Sequence, residues 1–177
     1  MDVVVIRTET EDDRQAIADV VERGFGSPAE ARLVEAIRAS PEYIAELALV
    51  ALVDDRVVGH VMISRCRLIG DGTERGIVML SPLAVDPSQQ GHGVGAALVR
   101  AVCDRADALG EPIVVLEGDP RYYSRFGFGP AAEHGITLPL PDWAPPAAAQ
   151  VLRLSHDDPS IRGTVIYPES FDVLDDT

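Results

Sequence analysis

The stretch Ala84-Val85-Asp86-Pro87-Ser88-Gln89-Gln90-Gly91-His92-Gly93-Val94-Gly95-Ala96-Ala97-Leu98 constrains the fold more than any other part of the chain. A strand-like run, 76–85, breaks at Asp86-Pro87, passes three glycines in five residues and opens into an alanine-rich amphipathic segment. Such a strand-to-helix turn is an anion cradle. The first helical turn leaves amide N–H groups without intrahelical partners and carries the positive end of the helix dipole, so a phosphate settles there. Glycines at 91, 93 and 95 let the backbone approach that phosphate with no Cβ between them. Glycine-rich loops also serve as plain punctuation, so the loop needs support from the rest of the chain.

With 177 residues, 46% of them hydrophobic, the chain can bury one core, and a single domain over 1–177 is expected. Twenty-nine acidic residues against fifteen basic ones give a net charge of −14, which argues against nucleic acid or an anionic membrane as the main partner. Every basic residue is arginine. Without lysine there is neither a Walker-type phosphate loop nor Schiff-base chemistry. Cys66 and Cys103 lie in apolar surroundings without CxxC spacing, and His60, His92, His134 and His156 are scattered, so reduced buried thiols and no metal are expected. The N-terminus lacks the basic and apolar regions of a signal peptide, and the longest apolar run, 44–53, is interrupted by Glu46 and too short to span a bilayer. A cytoplasmic protein with no membrane partner is expected.

Periodicity supplies the elements around the loop. Val3 to Arg7 reads as a strand, and Thr10 caps a helix over 11–24 with Ile17, Val20 and Val21 on one face. Ser27-Pro28-Ala29-Glu30 starts a second helix that Pro41 closes. Leu47 to Val53 and Val57 to Leu68 form an antiparallel hairpin about Asp54-Asp55-Arg56. After a turn at Gly70-Asp71-Gly72 the strand 76–85 returns, with Pro82 marking an edge or a bulge. A helix over 93–109 then leads to a buried strand, 113–116, parallel to its predecessor. A short helix over 120–126, a proline-rich loop about Trp143 and strands at 151–154 and 164–167 complete the order. The fold class is mixed α/β (α+β), not a strict β-α alternation.

Gln90-Gly91-His92-Gly93-Val94-Gly95 fits a (Gln or Arg)-x-x-Gly-x-(Gly or Ala) loop, and Tyr122-Tyr123-Ser124-Arg125-Phe126-Gly127-Phe128 follows the next strand at the matching distance. On these two segments the chain resembles the GNAT superfamily of N-acetyltransferases. Leu83-Ala84-Val85-Asp86-Pro87, Leu116-Glu117-Gly118-Asp119-Pro120 and Tyr167-Pro168-Glu169-Ser170-Phe171 are similar to its YhbS-type bacterial branch. The resemblance implies a central mixed, mostly antiparallel sheet with helices on both faces, and acetyl-CoA as co-substrate. It also implies that the amides of Gly91, His92, Gly93, Val94, Gly95 and Ala96, with Gln90, hold the coenzyme pyrophosphate. Backbone groups of Leu83, Ala84 and Val85 would pair with the pantetheine arm where strands 76–85 and 113–116 splay. Local amides can do this on an acidic protein, because salt screens distant charge over about 10 Å.

Acyl transfer from a thioester to an amine needs a neutral amine, donors for the oxyanion and a proton for the departing thiolate. By the family motif Tyr123 is the general acid, since a phenol of ordinary pKa about 10 is protonated at neutral pH; Tyr122 is the neighbour that could take its part. The general base stays open among Glu117, at the end of strand 113–116, and Ser81 and His60 on strands near the splay, acting directly or through water. Arg100, Arg121 and Arg125 could meet phosphates or lie solvated. The acceptor would be a small-molecule or peptide amine, and a homodimer is open because the family often dimerises. Two other readings stand beside this one. Gly91-x-Gly93-x-x-Ala96 also satisfies a dinucleotide fingerprint with Glu117 near the ribose-acid position, although four strand-like runs precede the loop and one β-α-β unit follows it. A non-catalytic acyl-CoA-sensing module would keep the loop and need no Tyr123.

Overall fold

The computed structural model describes residues 2–175. In chain order its elements are β1 (Val5–Thr8), α1 (Arg14–Phe25), α2 (Ala29–Arg38), β2 (Ala48–Val53), β3 (Arg56–Gly70), β4 (Thr73–Val85), α3 (Val94–Ala108), β5 (Ile113–Glu117), α4 (Pro120–Tyr123), β6 (Gly129–Pro130), β7 (Ile136–Thr137), β8 (Ala149–Arg153) and β9 (Gly163–Ile166), joined by short 3-10 turns and loops. The pairs β1–β2, β2–β3, β3–β9, β5–β8 and β6–β8 are antiparallel, and β4–β5 and β7–β9 are parallel. This is the mixed, mostly antiparallel sheet that the sequence leads one to expect. The contacts divide the chain into two compact units, the second made of Arg65–Leu80 and Ala106–Pro168 and the first of the remaining described residues.

In the first unit, β2 is buried along its whole length, which its unbroken apolar run Ala-Leu-Val-Ala-Leu-Val requires. The β2–β3 hairpin turns on Asp54 and Asp55, both at positive φ (50° and 59°), the conformation that matches the right-handed twist of the flanking strands. A 3-10 turn at Glu11–Asp13 precedes α1, and there Thr10 and Asp13 form a reciprocal capping box. The helix α2 starts at Ala29, whose N–H donates to Ser27 Oγ at 3.2 Å, one residue later than the Ser-Pro signature places it. Ile17, Val20 and Val21 of α1 and Leu33, Val34 and Ile37 of α2 are buried at helical spacing.

Two neighbouring residues of β3 locate the two faces of this unit's strands. A Cβ at Gly59 would stand 2.9 Å from Leu98 Cδ1 and 3.1 Å from Val94 Cγ1, so α3 presses on that face. Side chains alternate along a strand, and His60 accordingly points the other way. There its Nε2 lies 2.9 Å from Glu9 Oε1, and Arg38 of α2 binds Glu9 Oε2 through Nε at 2.7 Å. Helices therefore cover both faces. Burial pushes the Glu9 carboxyl up, but His60 and Arg38 together outweigh it and hold the group below its ordinary value.

In the second unit, β5 is the buried central strand, with Ile113 to Leu116 inaccessible. It pairs with β4 at Val78↔Val114 and Met79↔Val115 and with β8 from Ile113↔Arg153 to Glu117↔Ala149. The C-terminal half of β3 pairs with β9 at Arg67↔Ile166, Leu68↔Val165 and Ile69↔Thr164. Beyond Met79, β4 runs on through a cis Ser81–Pro82 peptide to Val85.

Candidate functional site

The loop predicted to hold an anion belongs to the first unit. After Val85 the chain enters a 3-10 turn at Pro87–Gln89, and α3 begins at Val94. Asp86 organises the entry. Its N–H donates to Val58 O at 2.8 Å, its Oδ1 accepts the N–H and O–H of Ser88 at 3.0 and 2.8 Å, and its Oδ2 accepts Arg23 of α1. The Ser88 hydroxyl and amide, then Arg23, hold the Asp86 carboxyl below its ordinary value.

Gly91 and Gly93 have φ of 81° and 83°, and a Cβ at either would meet no atom within 4 Å. These positions require glycine for conformation, not for space. The first i→i−4 bond of α3 runs from Ala97 N–H to Gly93 O at 3.0 Å, so the N–H groups of Val94, Gly95 and Ala96 have no intrahelical partner. No acidic side chain lies in that first turn. Gln90 Nε2 donates to Val85 O at 3.1 Å, which ties the loop to the end of β4. Of the three β4 residues predicted to offer backbone groups, Ala84 is buried and Leu83 and Val85 are half-buried.

Glu117 and Tyr123 both lie in the second unit. Glu117 ends β5 with its side chain exposed, and its Oε1 accepts the O–H of Tyr167. The next residue, Gly118, is pinned through its N–H to Ala148 O at 3.0 Å and through its carbonyl, which accepts Gln150 Nε2 at 2.9 Å. Asp119 then caps α4 by accepting Arg121 N–H at 2.9 Å. Tyr123 comes at the end of that turn and makes edge contacts with the rings of Tyr122 and Phe128 at centroid distances of 4.9 and 5.7 Å. A Cβ at Gly118 would stand 2.5 Å from Tyr123 Cε2, so the phenol ring lies directly on the residue after Glu117.

The remaining candidates are held in other ways. His60 is fully buried and bonded to Glu9, and Ser81 is half-buried on β4. Arg125 stacks its guanidinium on the rings of Tyr122 and Phe126 at 4.7 and 5.0 Å, and the exposed Arg121 bonds Asp119. Sequence reasoning missed Tyr167 as a partner of Glu117. Its only signal was membership in the Tyr167-Pro168-Glu169-Ser170-Phe171 segment, which says nothing about which carboxylate it meets. Burial and then the Glu117 carboxylate push the Tyr167 phenol well above its ordinary value, so the O–H stays a donor. Among the described residues, no cluster of three or more His, Cys, Asp or Glu could hold a metal ion, and no helix is long and apolar enough to cross a membrane.

The family described as an acetyltransferase (GNAT) domain matches residues 5–131. The Escherichia coli (strain K12) protein YhbS, itself described as an uncharacterized N-acetyltransferase, is 36% identical over 170 residues, which cover 95% of this chain and 98% of YhbS. The 1.55 Å crystal structure of E. coli YhbS in complex with CoA matches this structure with a TM-score of 0.87 at 35% identity, covering 97% of this chain and 93% of that one. A GNAT family acetyltransferase from Brucella melitensis in complex with acetyl-CoA matches with a TM-score of 0.77 at 31% identity, over 97% of this chain and all of that one.

Proposed function

The chain belongs to the GNAT acetyltransferase family, and from that premise we propose that it transfers the acetyl group of acetyl-CoA to an amine by direct attack. One observation carries the reading: two glycines at positive φ, open on the side a Cβ would take, lead into a helix whose first turn has no carboxylate. A diphosphate needs close amide donors without a competing negative charge, and this turn supplies them. The proposed holders are Gln90, Gly91, His92, Gly93, Val94, Gly95 and Ala96. Leu83, Ala84 and Val85 offer backbone groups to the pantetheine arm. The Val85 carbonyl, which carries Gln90 Nε2, has a second lone pair for that purpose.

In this reading Glu117 takes a proton from the acceptor ammonium and Tyr123 gives one to the departing thiolate. Support comes from their placement at adjacent points of one backbone turn: the exposed carboxylate of 117, and the ring lying on 118. The acceptor is an amine, on a small molecule or a peptide.

The test has two stages. Calorimetry should detect binding of CoA and acetyl-CoA, and thiol release from acetyl-CoA should depend on an added amine from a panel of a polyamine, an aminoglycoside and a peptide with a free N-terminus. Tyr123→Phe should slow turnover by about 10²–10⁴-fold with coenzyme affinity unchanged. Tight coenzyme binding with no turnover of any amine would identify an acyl-CoA sensor instead.

A further inference from the structure

The Glu117 carboxylate is exposed and yet held by a side chain distant in sequence. Its Oε1 accepts the hydroxyl of Tyr167, a residue 50 positions away that follows directly on β9. The register of β9 on β3, Arg67↔Ile166 through Ile69↔Thr164, sets where Tyr167 emerges, and the register of β5 on β8, ending at Glu117↔Ala149, sets the carboxylate. Glu117 Oε2 accepts no hydrogen bond from the described residues. The contact is thus built from both ends by strand pairing, and it restrains one oxygen of a carboxylate whose other oxygen has no donor among the described residues.

We propose that Tyr167 is a positioning residue for the acetyl transfer: by holding Oε1 of Glu117 it aims Oε2 at the ammonium of the amine acceptor. This rests on the reading that the chain acetylates amines with Glu117 as base. Glu117 of β5 and Cys66 of β3 both bear on the Tyr167 phenol, and burial with the Glu117 charge keeps the O–H protonated. The donor therefore persists throughout the working pH range. Oε2 of Glu117 takes one proton from the ammonium, and the freed nitrogen lone pair attacks the thioester carbonyl carbon. The C–S bond breaks, and the thiolate takes the Tyr123 proton. The new amide nitrogen sheds its surplus proton, which restores Tyr123, and the exposed Glu117 returns its proton to water. The products are the acetylated amine, CoA thiol and one proton.

Tyr167→Phe keeps the ring and removes only the donor. Steady-state thiol release with the amine panel should show kcat/KM for the amine reduced on the order of tenfold at pH 7, with the KM for acetyl-CoA unchanged. The deficit should shrink as the pH rises toward the acceptor's own pKa, about 8 for a peptide N-terminus and about 10 for an alkylamine, because more of the amine is then already neutral. In a Glu117→Gln background the same change should have no further effect, since the hydroxyl acts only through that carboxylate. A purely structural role would instead lower the rate equally at every pH and in both backgrounds, and that result overturns the proposal. So does a Tyr167→Phe protein that matches the wild type throughout. A wild-type chain that binds acetyl-CoA but acetylates none of the panel overturns the transferase reading itself and the base assignment with it.

Discussion

The ring of Tyr123 rests on the backbone of Gly118, with Cε2 2.5 Å from the point where a Cβ at 118 would stand. Nothing but glycine fits there, because real Cβ contacts of that length do not occur and the ring is also held by Tyr122 and Phe128. The hydrogen bonds of Gly118 to Ala148 and Gln150 keep the backbone from retreating. The position of the phenol and the position of the strand end are thus one structural fact.

Gly118→Ala should accordingly displace Tyr123. The expected outcome is a loss of about 1–3 kcal/mol of stability, from overpacking against an aromatic ring, measured as a shifted denaturant midpoint. Acetyl-CoA turnover should fall at least about tenfold, because catalysis tolerates little misplacement of a proton donor. Full turnover in this variant would show that the ring's seat on Gly118 is irrelevant to the chemistry.

Gly93→Ala tests the loop. At φ 83° with open space around it, an added methyl strains the backbone by about 1–2 kcal/mol without clashing. The loop should relieve that strain by rotating its amides, and calorimetric affinity for CoA should drop about fivefold or more. Gly72→Ala, at φ 75° in the β3–β4 turn and equally open, is the matched control. It should cost similar stability and leave the affinity unchanged.

Asp13 gives the fold an acid-sensitive contact. Arg7 binds both carboxylate oxygens at 2.7 and 3.0 Å, and Thr10 adds its N–H at 2.8 Å. The Arg7 bond first, then the Thr10 bonds, against the opposing effect of burial, hold the carboxyl at about 2. A carboxyl depressed in the folded state contributes stability that is present above its unfolded value near 4 and is lost as the pH falls toward 2. Arg7 is 39% exposed, which reduces the contribution through solvent screening. Asp13→Asn should therefore cost about 1–2 kcal/mol at pH 7 in urea unfolding, with the gap to the wild type closing between pH 4 and pH 2. A gap that does not change across that interval would show that the carboxylate charge plays no part.

Much of the fold was legible because it is written in local patterns. The β2–β3 hairpin follows from two apolar runs around Asp54-Asp55, residues that tolerate positive φ. The α3 helix and the buried β5 were recognisable from helical spacing and from a short unbroken apolar run. The bridges β6 and β7 were not, since two residues cannot display a period of two. The stacking of Arg125 on Tyr122 and Phe126 was not legible either, a contact three residues or fewer along the chain but decided by the turn that Gly127 closes at φ 93°.

The chain's own order of residues settled which family it joins and that a glycine-rich loop after a strand leads into a helix whose first turn carries no carboxylate. These are matters of short-range sterics and of charges a few residues apart, and they need no partner from elsewhere. Only the tertiary structure decided that Tyr167 meets Glu117 across 50 residues and that Tyr123 lies on Gly118. The reason is that such contacts depend on how β9 registers against β3 and β8 against β5. A one-residue slip would turn every side chain to the other face without altering any local pattern.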